Sequence, residues 1–290
     1  MPEDKKKIIW LASYPKSGNT WFRAFLSNLF ADKDNPVDIN NLAGGPIASC
    51  RSLFEDYSCL SSTDLNFDEV DNLRPAVYRE FAAELNKKRF LKTHDAYTFL
   101  QSGEAMFPTD VTFCAVYLIR NPFDVAVSFA HHSVTTTDKM VETMGQDNFA
   151  FCSKNFKYHN QLRQKLLSWS NHVRSWTEQG NIPLIVLRYE DMKDDAVREF
   201  TRAIRFCEID YSDDDIRKAA EQCDFDILKK QEEEKGFREK NPKSQSFFRE
   251  GKKGNWRSKF NEEMINKIIY DHREVMIKYG YLNDENEILV

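Results

Sequence analysis

A short apolar segment followed by a polar turn and an amphipathic helix constrains the fold of this 290-residue chain most strongly. Residues 8–12 are all apolar, and residues 13–20 then read SYPKSGNT. From residue 21 to residue 30 the apolar positions recur three and four apart, which is the spacing of one helix face. The pattern predicts a buried strand, a tight loop and a helix, an arrangement whose backbone N–H groups and helix N-terminus bind phosphate.

The rest of the chain alternates between the two kinds of pattern. Further strands are expected at residues 89–93, 111–119 and 183–187. Residues 31–66 are loop-rich, and residues 235–259 are glycine-rich and basic. Helices are expected at residues 74–88, 122–131, 156–178, 191–230 and 261–278. Strands that alternate with helices predict an α/β fold in which a central parallel sheet is flanked by helices. Since we find no internal repeat or linker, we expect one domain over residues 1–290.

Composition excludes several classes of protein. The chain has 41 basic and 46 acidic residues, and this net charge of −5 argues against a general nucleic-acid-binding surface. No segment approaches the ~20 apolar residues of a membrane span, and the first apolar run is shorter than the ~7–15 residues of a secretory signal. Six scattered cysteines without C-x-x-C spacing fit reduced thiols. We therefore expect a cytoplasmic protein that binds neither nucleic acid nor membrane.

The loop after the first strand carries groups that suit a phosphate. Gly18 permits close backbone approach and Lys16 supplies a charge, while Ser17, Asn19 and Thr20 supply further donors. An ordinary strand-to-helix turn remains the alternative for the loop taken alone. The loop is not a Walker A motif, because Lys16 precedes Gly18 instead of following the second glycine.

Five segments, taken in order, resemble the PAPS-dependent cytosolic-type sulfotransferases, a family with a P-loop-like α/β fold. PAPS is 3′-phosphoadenosine-5′-phosphosulfate. The segments are residues 14–21 (YPKSGNTW, the 5′-phosphosulfate loop), 92–94 (KTH, with the catalytic histidine), 117–128 (YLIRNPFDVAVS, the 3′-phosphate segment), 187–192 (LRYEDM, near the adenine) and 248–256 (FREGKKGNW, the closing loop).

This resemblance implies a PAPS-dependent transferase of the EC 2.8.2 class. Such an enzyme moves the sulfuryl group in line to a hydroxyl or an amine of a small-molecule acceptor, and 3′-phosphoadenosine-5′-phosphate (PAP) is the second product. By resemblance His94 is the general base, Lys16 stabilises the leaving phosphate and Lys92 neutralises the transferring sulfonate. Ser128 would bind the 3′-phosphate and restrain Lys16. These general-base and electrostatic tasks need no metal.

The resemblance also implies which residues hold the donor. Two of them depart from the family pattern, because Glu250 stands where lysine is usual and Cys223 where threonine is common. The expected donor-binding residues are Lys16, Ser17, Gly18, Asn19, Thr20, Trp21, Arg120, Ser128, Tyr189, Cys223, Phe225, Phe248, Arg249, Glu250 and Gly251. Independently of the resemblance, Arg120 ends an apolar strand where an unpaired charge is costly, so either an anionic ligand or a structural ion pair is expected there.

The acceptor side is less constrained. Asp95 follows His94 where the family has an apolar residue, and it could hold a cationic acceptor, favour the protonated imidazole or face solvent, the last of which we expect. By analogy the acceptor site is built from residues 40–66, 95–107, 131–160 and 237–247. The aromatic residues there are Phe54, Tyr57, Tyr97, Phe99, Phe107, Phe149, Phe151, Phe156 and Tyr158. No segment resembles the family's dimer motif, so an oligomer has no support.

Two other functions compete with sulfuryl transfer. A P-loop kinase or nucleotidase would need Thr20 and an acidic strand end, such as Glu190 and Asp191, to hold a metal, but Lys16 is misplaced for it. A non-catalytic nucleotide-binding protein of the same fold would have less reason to retain Lys16, Lys92 and His94 together.

Overall fold

The computed structural model describes residues 6–31, 34–154 and 159–290. Its strands are β1 (Ile8–Ser13), β2 (Arg89–Thr93), β3 (Thr112–Ile119), β4 (Ala150–Phe151), β5 (Gln164–Lys165) and β6 (Leu184–Arg188). A parallel sheet flanked by helices has the strand order β2-β1-β3-β6, and β4 pairs with β5 in a small antiparallel sheet. The predicted α/β class is confirmed.

Burial on both faces explains why β1 is apolar at successive positions. Its residues from Ile8 onward are fully buried, so the inside-outside alternation of a half-exposed strand is absent. Trp10 packs edge-on against Tyr78 and Phe107, and its Nε1 donates to the Thr112 hydroxyl at 2.8 Å. Strands β1 and β2 run parallel with consecutive residues in register, so their carboxyl ends lie at the same edge of the sheet.

Helices connect and cover the strands. Their bounds are α1 (Asn19–Ala31), α2 (Arg51–Ser58), α3 (Phe67–Glu84), α4 (Pro122–Ser133), α5 (Thr137–Met144), α6 (Trp169–Thr177), α7 (Tyr189–Asp194), α8 (Ala196–Phe206), α9 (Asp213–Glu221), α10 (Phe225–Lys235) and α11 (Glu262–Lys278). Helix α4 begins with proline at its first turn, and the Asn121 side chain accepts the Phe123 N–H. Among the residues described, no helix is long and apolar enough to cross a membrane.

The chain packs as two compact units, each assembled from three separate segments. The first unit consists of Met1–Tyr14, Gly44–Tyr117 and Asp147–Val186, and it contains β1, β2 and most of β3. The second consists of Pro15–Ala43, Leu118–Gln146 and Leu187–Val290, and it contains the helices α1, α4, α5 and α7 to α11. The expectation of one domain stays a prediction.

One of the predicted segments is wrong. Residues 156–178 do not form one helix, because β5 lies within them and α6 begins only after the Ser168 cap. Leu167 has a φ of 61°, which a right-handed helix cannot accommodate. Residues 155–158 lie outside the described part of the chain. Phe156 and Tyr158 of the expected acceptor site are among these four residues. The segment 31–66, expected to be loop-rich, contains the short helix α2.

Candidate active site

The turn between β1 and α1 has a backbone conformation that most side chains avoid. Lys16 has a φ of 70° and Gly18 a φ of 102°. As α1 begins, the Phe22 N–H donates to the Gly18 carbonyl at 3.1 Å. A Cβ atom on Gly18 would lie only 2.9 Å from the Tyr189 ring. Both the backbone conformation and the close packing of Tyr189 therefore require glycine at this position.

The Ser17 side chain gives this turn a hydroxyl group that could form a hydrogen bond with a ligand. Its Oγ is buried and has no hydrogen-bond partner among the described residues. A buried polar group without a partner costs about 1–3 kcal/mol of stability. A phosphate oxygen bound at the N-terminus of α1 would satisfy this hydroxyl, so the turn fits the anionic group that the sequence predicts.

Arg120 brings a mostly buried cation to the same turn. Its Nη1 donates to the Lys16 carbonyl and its Nη2 to the Lys252 carbonyl, each at 3.2 Å. The guanidinium lies 4.2 Å from the centroid of the Tyr189 ring, and a carboxylate oxygen of Asp124 is 3.8 Å from Nη2. Within the described part of the chain, Nε has no hydrogen-bond partner. Carbonyls and a ring compensate the charge only in part, which leaves Arg120 able to bind an anion.

Asp124 organises the closing loop and was not identified from the sequence. Its carboxylate is buried and accepts the Gly254 N–H at 2.8 Å and the Trp256 N–H at 3.2 Å. Because both oxygens bind backbone groups, Asp124 ties α4 to the closing loop, and it also lies 3.8 Å from Arg120 as a long ion pair. The spacing of four residues between Arg120 and Asp124 was visible in the sequence, but their different partners were not.

A second buried carboxylate, Glu232, fixes the start of the closing loop. Its two oxygens accept the N–H groups of Phe247 and Phe248 at 2.7 and 2.8 Å. Phe248 is buried and packs edge-on against Phe225 on α10, with the ring centroids 6.3 Å apart. Gly251 has a φ of 60°, and a Cβ atom there would lie 2.3 Å from the Phe225 ring. Glycine is thus required where the closing loop crosses Phe225.

The remaining cations of this loop are partly exposed. The Arg249 side chain is 31% exposed and its Nε lies 3.5 Å from a carboxylate oxygen of Glu250. Glu250, which stands where the resembled family usually has lysine, thus forms an ion pair with Arg249. The ammonium of Lys16 lies 3.7 Å from the centroid of the Phe247 ring, which is cation–π geometry. Phe247 was not among the predicted donor-binding residues.

Trp21 belongs to an aromatic group on one side of α1. Its ring packs edge-on against Tyr189 and Phe200, with the centroids 5.9 and 5.5 Å apart.

Cys223 is buried and its Sγ donates to the Ala220 carbonyl at 3.2 Å. Burial raises the pKa of the Cys223 thiol to about 12, so this thiol is neutral at physiological pH.

His94 follows β2 in the first unit, and its hydrogen bonds define its tautomer. The imidazole Nδ1 lies 2.8 Å from the main-chain carbonyl oxygen of Ser13. Because a carbonyl can only accept, Nδ1 carries the proton, and Nε2 is the unprotonated nitrogen of the neutral ring. The nearby Lys92 side chain is half-buried on β2, whose main chain also pairs with Gly44 and Ala48.

His172 supports the main chain at His94, a contact that the sequence did not reveal. Its Nε2 donates to the His94 carbonyl at 3.1 Å, so its Nδ1 accepts from the Tyr117 hydroxyl at 2.8 Å. The side chain is fully buried, and burial lowers the pKa of His172 to about 4. At neutral pH this imidazole is uncharged, as these two hydrogen bonds require.

The expectation that Asp95 faces solvent is wrong. Asp95 is buried, and both carboxylate oxygens bind the Arg74 guanidinium, at 2.7 and 3.1 Å. One oxygen also accepts the Lys165 N–H at 3.2 Å, and the Asp95 carbonyl accepts the Trp176 indole N–H at 2.9 Å. An aspartate here is stable because Arg74 comes from α3, far away in the sequence. These contacts withdraw the carboxylate from any acceptor.

Glu190 and Asp191 have partners that do not fit a metal-binding strand end. Glu190 is buried, and its oxygens accept the Asn121 N–H and the Tyr281 hydroxyl, both at 3.0 Å. Asp191 pairs with Arg188 at 3.4 Å. Among the described residues, no group of three or more histidines, cysteines, aspartates and glutamates is placed to hold a metal ion. Metal independence stays a prediction.

The second unit thus brings together most of the predicted donor-binding residues around one turn, while Lys92 and His94 belong to the first unit. A glycine-containing anion-binding turn after the first strand of a parallel sheet, with a partly compensated arginine beside it, defines a P-loop-like α/β protein. The family model of the sulfotransferase domain matches residues 6–280. The chain belongs to this family, and it is a transferase of the PAPS-dependent sulfotransferase class, EC 2.8.2.

Relatives and solved structures agree with this assignment. Sulfotransferase 1E1 of Homo sapiens is 26% identical over 288 residues, which span 96% of this chain and 86% of the relative. A crystal structure of retinol dehydratase with androsterone and the inactive cofactor PAP has a TM-score of 0.59 at 20% identity, covering 93% of this chain and 80% of that one. Mouse sulfotransferase SULT7A1 with PAP has a TM-score of 0.58 at 21% identity, covering 95% and 88%.

Proposed function

We propose that the chain transfers the sulfuryl group of PAPS to a hydroxyl or an amine of a small-molecule acceptor and releases PAP. The observation that carries this proposal is Arg120, a mostly buried guanidinium that joins the Lys16 turn to the closing loop and whose carboxylate neighbour, Asp124, is 3.8 Å from Nη2. The named relative and the PAP-bound neighbours support the same donor.

The donor's two phosphate positions call for different residues. The turn from Lys16 to Thr20 suits the 5′-phosphosulfate, since it offers the Ser17 hydroxyl and the N-terminus of α1. Arg120, Ser128 and Arg249 suit the 3′-phosphate, because two guanidinium forks can each donate two hydrogen bonds to it. The residues proposed to surround the adenosine are Trp21, Tyr189, Cys223, Phe225 and Phe248, while Glu250 and Gly251 belong with Arg249 to the loop proposed for the 3′-phosphate.

In this proposal His94 is the general base. The acceptor proton passes to Nε2, since Nδ1 already donates to the Ser13 carbonyl. PAPS supplies the sulfuryl group: a bond from sulfur to the acceptor oxygen or nitrogen forms as the bond from sulfur to the 5′-phosphate oxygen breaks. Lys92 neutralises the sulfonate oxygens, and Lys16 stabilises the negative charge that grows on the departing phosphate. His172 positions the His94 main chain by donating a hydrogen bond to its carbonyl.

The acceptor is proposed to be a small organic molecule. The retinol dehydratase complex holds androsterone, and the segments expected to line the acceptor site in this chain are rich in aromatic residues. Asp95 does not recognise a cationic acceptor, because Arg74 already neutralises it. An acceptor screen with labelled PAPS would identify the molecule.

Thermal unfolding with nucleotides tests the donor. PAP at about 100 times its Kd should stabilise the protein by about 2.7 kcal/mol. AMP, which lacks the 3′-phosphate, should stabilise it far less at the same concentration, and Mg²⁺ should not be needed. Equal stabilisation by PAP and AMP would count against the proposed 3′-phosphate site, and stabilisation by ATP only with Mg²⁺ would favour a kinase.

Replacement of the base tests the mechanism. His94→Ala should lower turnover by about 10²–10⁴, the usual contribution of a general base, while PAP affinity measured by calorimetry stays almost unchanged. Turnover of the unaltered enzyme should rise with pH as the imidazole becomes neutral. A His94→Ala enzyme with near-normal turnover would exclude the general-base role but not the sulfotransferase assignment.

A further inference from the structure

His131 lies next to Ser128, one of the residues proposed for the 3′-phosphate. It begins the expected acceptor segment 131–160, but it is not among the predicted donor-binding residues and has no role in the proposed mechanism. It follows Ser128 by three residues on α4, so the two side chains share one helix face. Its imidazole is half-buried, and Nδ1 lies 3.2 Å from the Ser244 hydroxyl in the segment that leads into the closing loop. A second bond joins this segment to the helix end, from the Asn241 side chain to the His132 carbonyl at 2.9 Å.

The Ser244 contact determines where a further proton would bind. The Ser244 hydroxyl lies 3.2 Å from both Nδ1 of His131 and the Ser246 carbonyl oxygen. In the arrangement in which the hydroxyl donates its one proton to the carbonyl, it accepts from Nδ1, and the neutral imidazole has its proton on Nδ1. A second proton then binds at Nε2 without breaking the Ser244 bond.

Three charged side chains from three different segments act on His131. Burial and the positive charges of Arg249 and Lys16 lower the pKa of His131, and the buried Glu232 carboxylate opposes them more weakly. At neutral pH this balance keeps the imidazole mostly uncharged. A phosphate dianion bound by Arg249 and Ser128 would reverse it, because added negative charge favours the protonated imidazole.

We propose that His131 is a further donor-site residue, which takes up a proton at Nε2 when PAP or PAPS binds and donates that N–H to the phosphate. This inference rests on the proposed function, since it needs a phosphate between Arg249 and Ser128. It follows that donor and product bind more tightly at pH 6 than at pH 8, and that part of this pH dependence comes from His131. As pH rises, the enzyme would release PAP more readily.

Calorimetric titration with PAP at pH 6.5, in buffers of different ionisation enthalpy, measures the protons taken up on binding. The unaltered protein should take up a larger fraction of a proton than His131→Gln does. The difference matters rather than the absolute value, because the phosphates of PAP also exchange protons. At pH 6 the His131→Gln variant should bind PAP about tenfold more weakly, the usual effect of losing one charge-assisted hydrogen bond. At pH 8 the two affinities should converge.

His132→Gln is the matched control, since it removes the adjacent imidazole and should leave proton uptake unchanged. Equal uptake by the unaltered protein and His131→Gln overturns the proposal for His131 alone, whereas no binding of PAP to the unaltered protein overturns the proposed function as well. If His131→Gln does not fold, the imidazole resonances of the unaltered protein decide. The half-buried histidine should titrate at higher pH with PAP bound, and an unchanged titration overturns the proposal.

Discussion

Two arginines, one in each compact unit, have contrasting surroundings. In the first unit, Arg74 is buried and binds Asp95 through two hydrogen bonds, and its Nε donates to the Tyr78 hydroxyl at 2.9 Å. A carboxylate oxygen of Asp71 lies 3.6 Å away. In the second unit, Arg120 donates to two main-chain carbonyls, while the oxygen of Asp124 is 3.8 Å distant.

The contrast separates a structural arginine from one that can bind a ligand. The carboxylates around Arg74 compensate its charge, so it has little left to offer an anion. Asp124 offsets the charge of Arg120 only in part, because its nearest oxygen is 3.8 Å from Nη2 and makes its closer contact with a backbone N–H of the closing loop. The second unit therefore retains positive charge where a phosphate is expected.

Breaking the Arg74–Asp95 pair should have the largest effect on stability. Arg74→Met leaves Asp95 buried without its cation, and loss of one partner of a buried pair costs about 3–5 kcal/mol. We expect this loss in the free energy of unfolding measured by urea denaturation. The double variant Arg74→Met/Asp95→Leu should recover part of it, because no unpaired charge remains. A loss below about 1 kcal/mol, typical of exposed pairs, would show that Arg74 is not structural.

Arg120→Ala should have the opposite profile. We expect PAP affinity to fall by about 10- to 150-fold, which corresponds to about 1.5–3 kcal/mol for hydrogen bonds to a charged group, with little change in the urea midpoint. Arg120→Lys should be intermediate, since it keeps the charge but loses the planar fork. If Arg120→Ala destabilises the protein as much as Arg74→Met does, the contrast between the two arginines disappears.

The sequence predicted the phosphate-binding turn of the second unit better than the surroundings of His94, because the turn depends on residues that are neighbours in the chain. The strand, turn and helix at residues 8–31 depend on neighbours in the chain: apolar runs, a glycine with positive φ and a helix face. The position of Arg120 at the end of β3 was predictable in the same way, because the apolar run of residues 111–119 ends directly before it.

Contacts between distant segments could not be predicted. Asp95 is buried because Arg74 lies opposite it, 21 residues earlier, and nothing near Asp95 in the sequence signals this. Glu232 is similar, since its partners are main-chain N–H groups of residues 247 and 248, which have no sequence signature. The false helix at residues 156–178 arose because apolar spacing does not reveal the positive φ of Leu167.

The smallest effect is expected from a substitution of Phe247, whose ring contacts Lys16, a third cation to compare with the two arginines. The Lys16 ammonium rests over a ring, much as Arg120 rests over Tyr189 and unlike Arg74, which has a carboxylate. Phe247→Leu should cost about 0.5–1 kcal/mol in the interaction with Lys16, so turnover and PAP affinity should change by less than about tenfold.

Phe247→Tyr distinguishes the effect of the aromatic ring from the effect of side-chain size in this experiment. It keeps an aromatic face under Lys16 and should behave like the unaltered enzyme in turnover and in PAP calorimetry. If leucine and tyrosine have equal effects, the ring does not hold Lys16, and the ammonium is positioned by other contacts of the turn. A leucine effect far above tenfold would instead mean that Phe247 supports the Glu232-bound start of the closing loop, because Phe247 donates its N–H to that carboxylate.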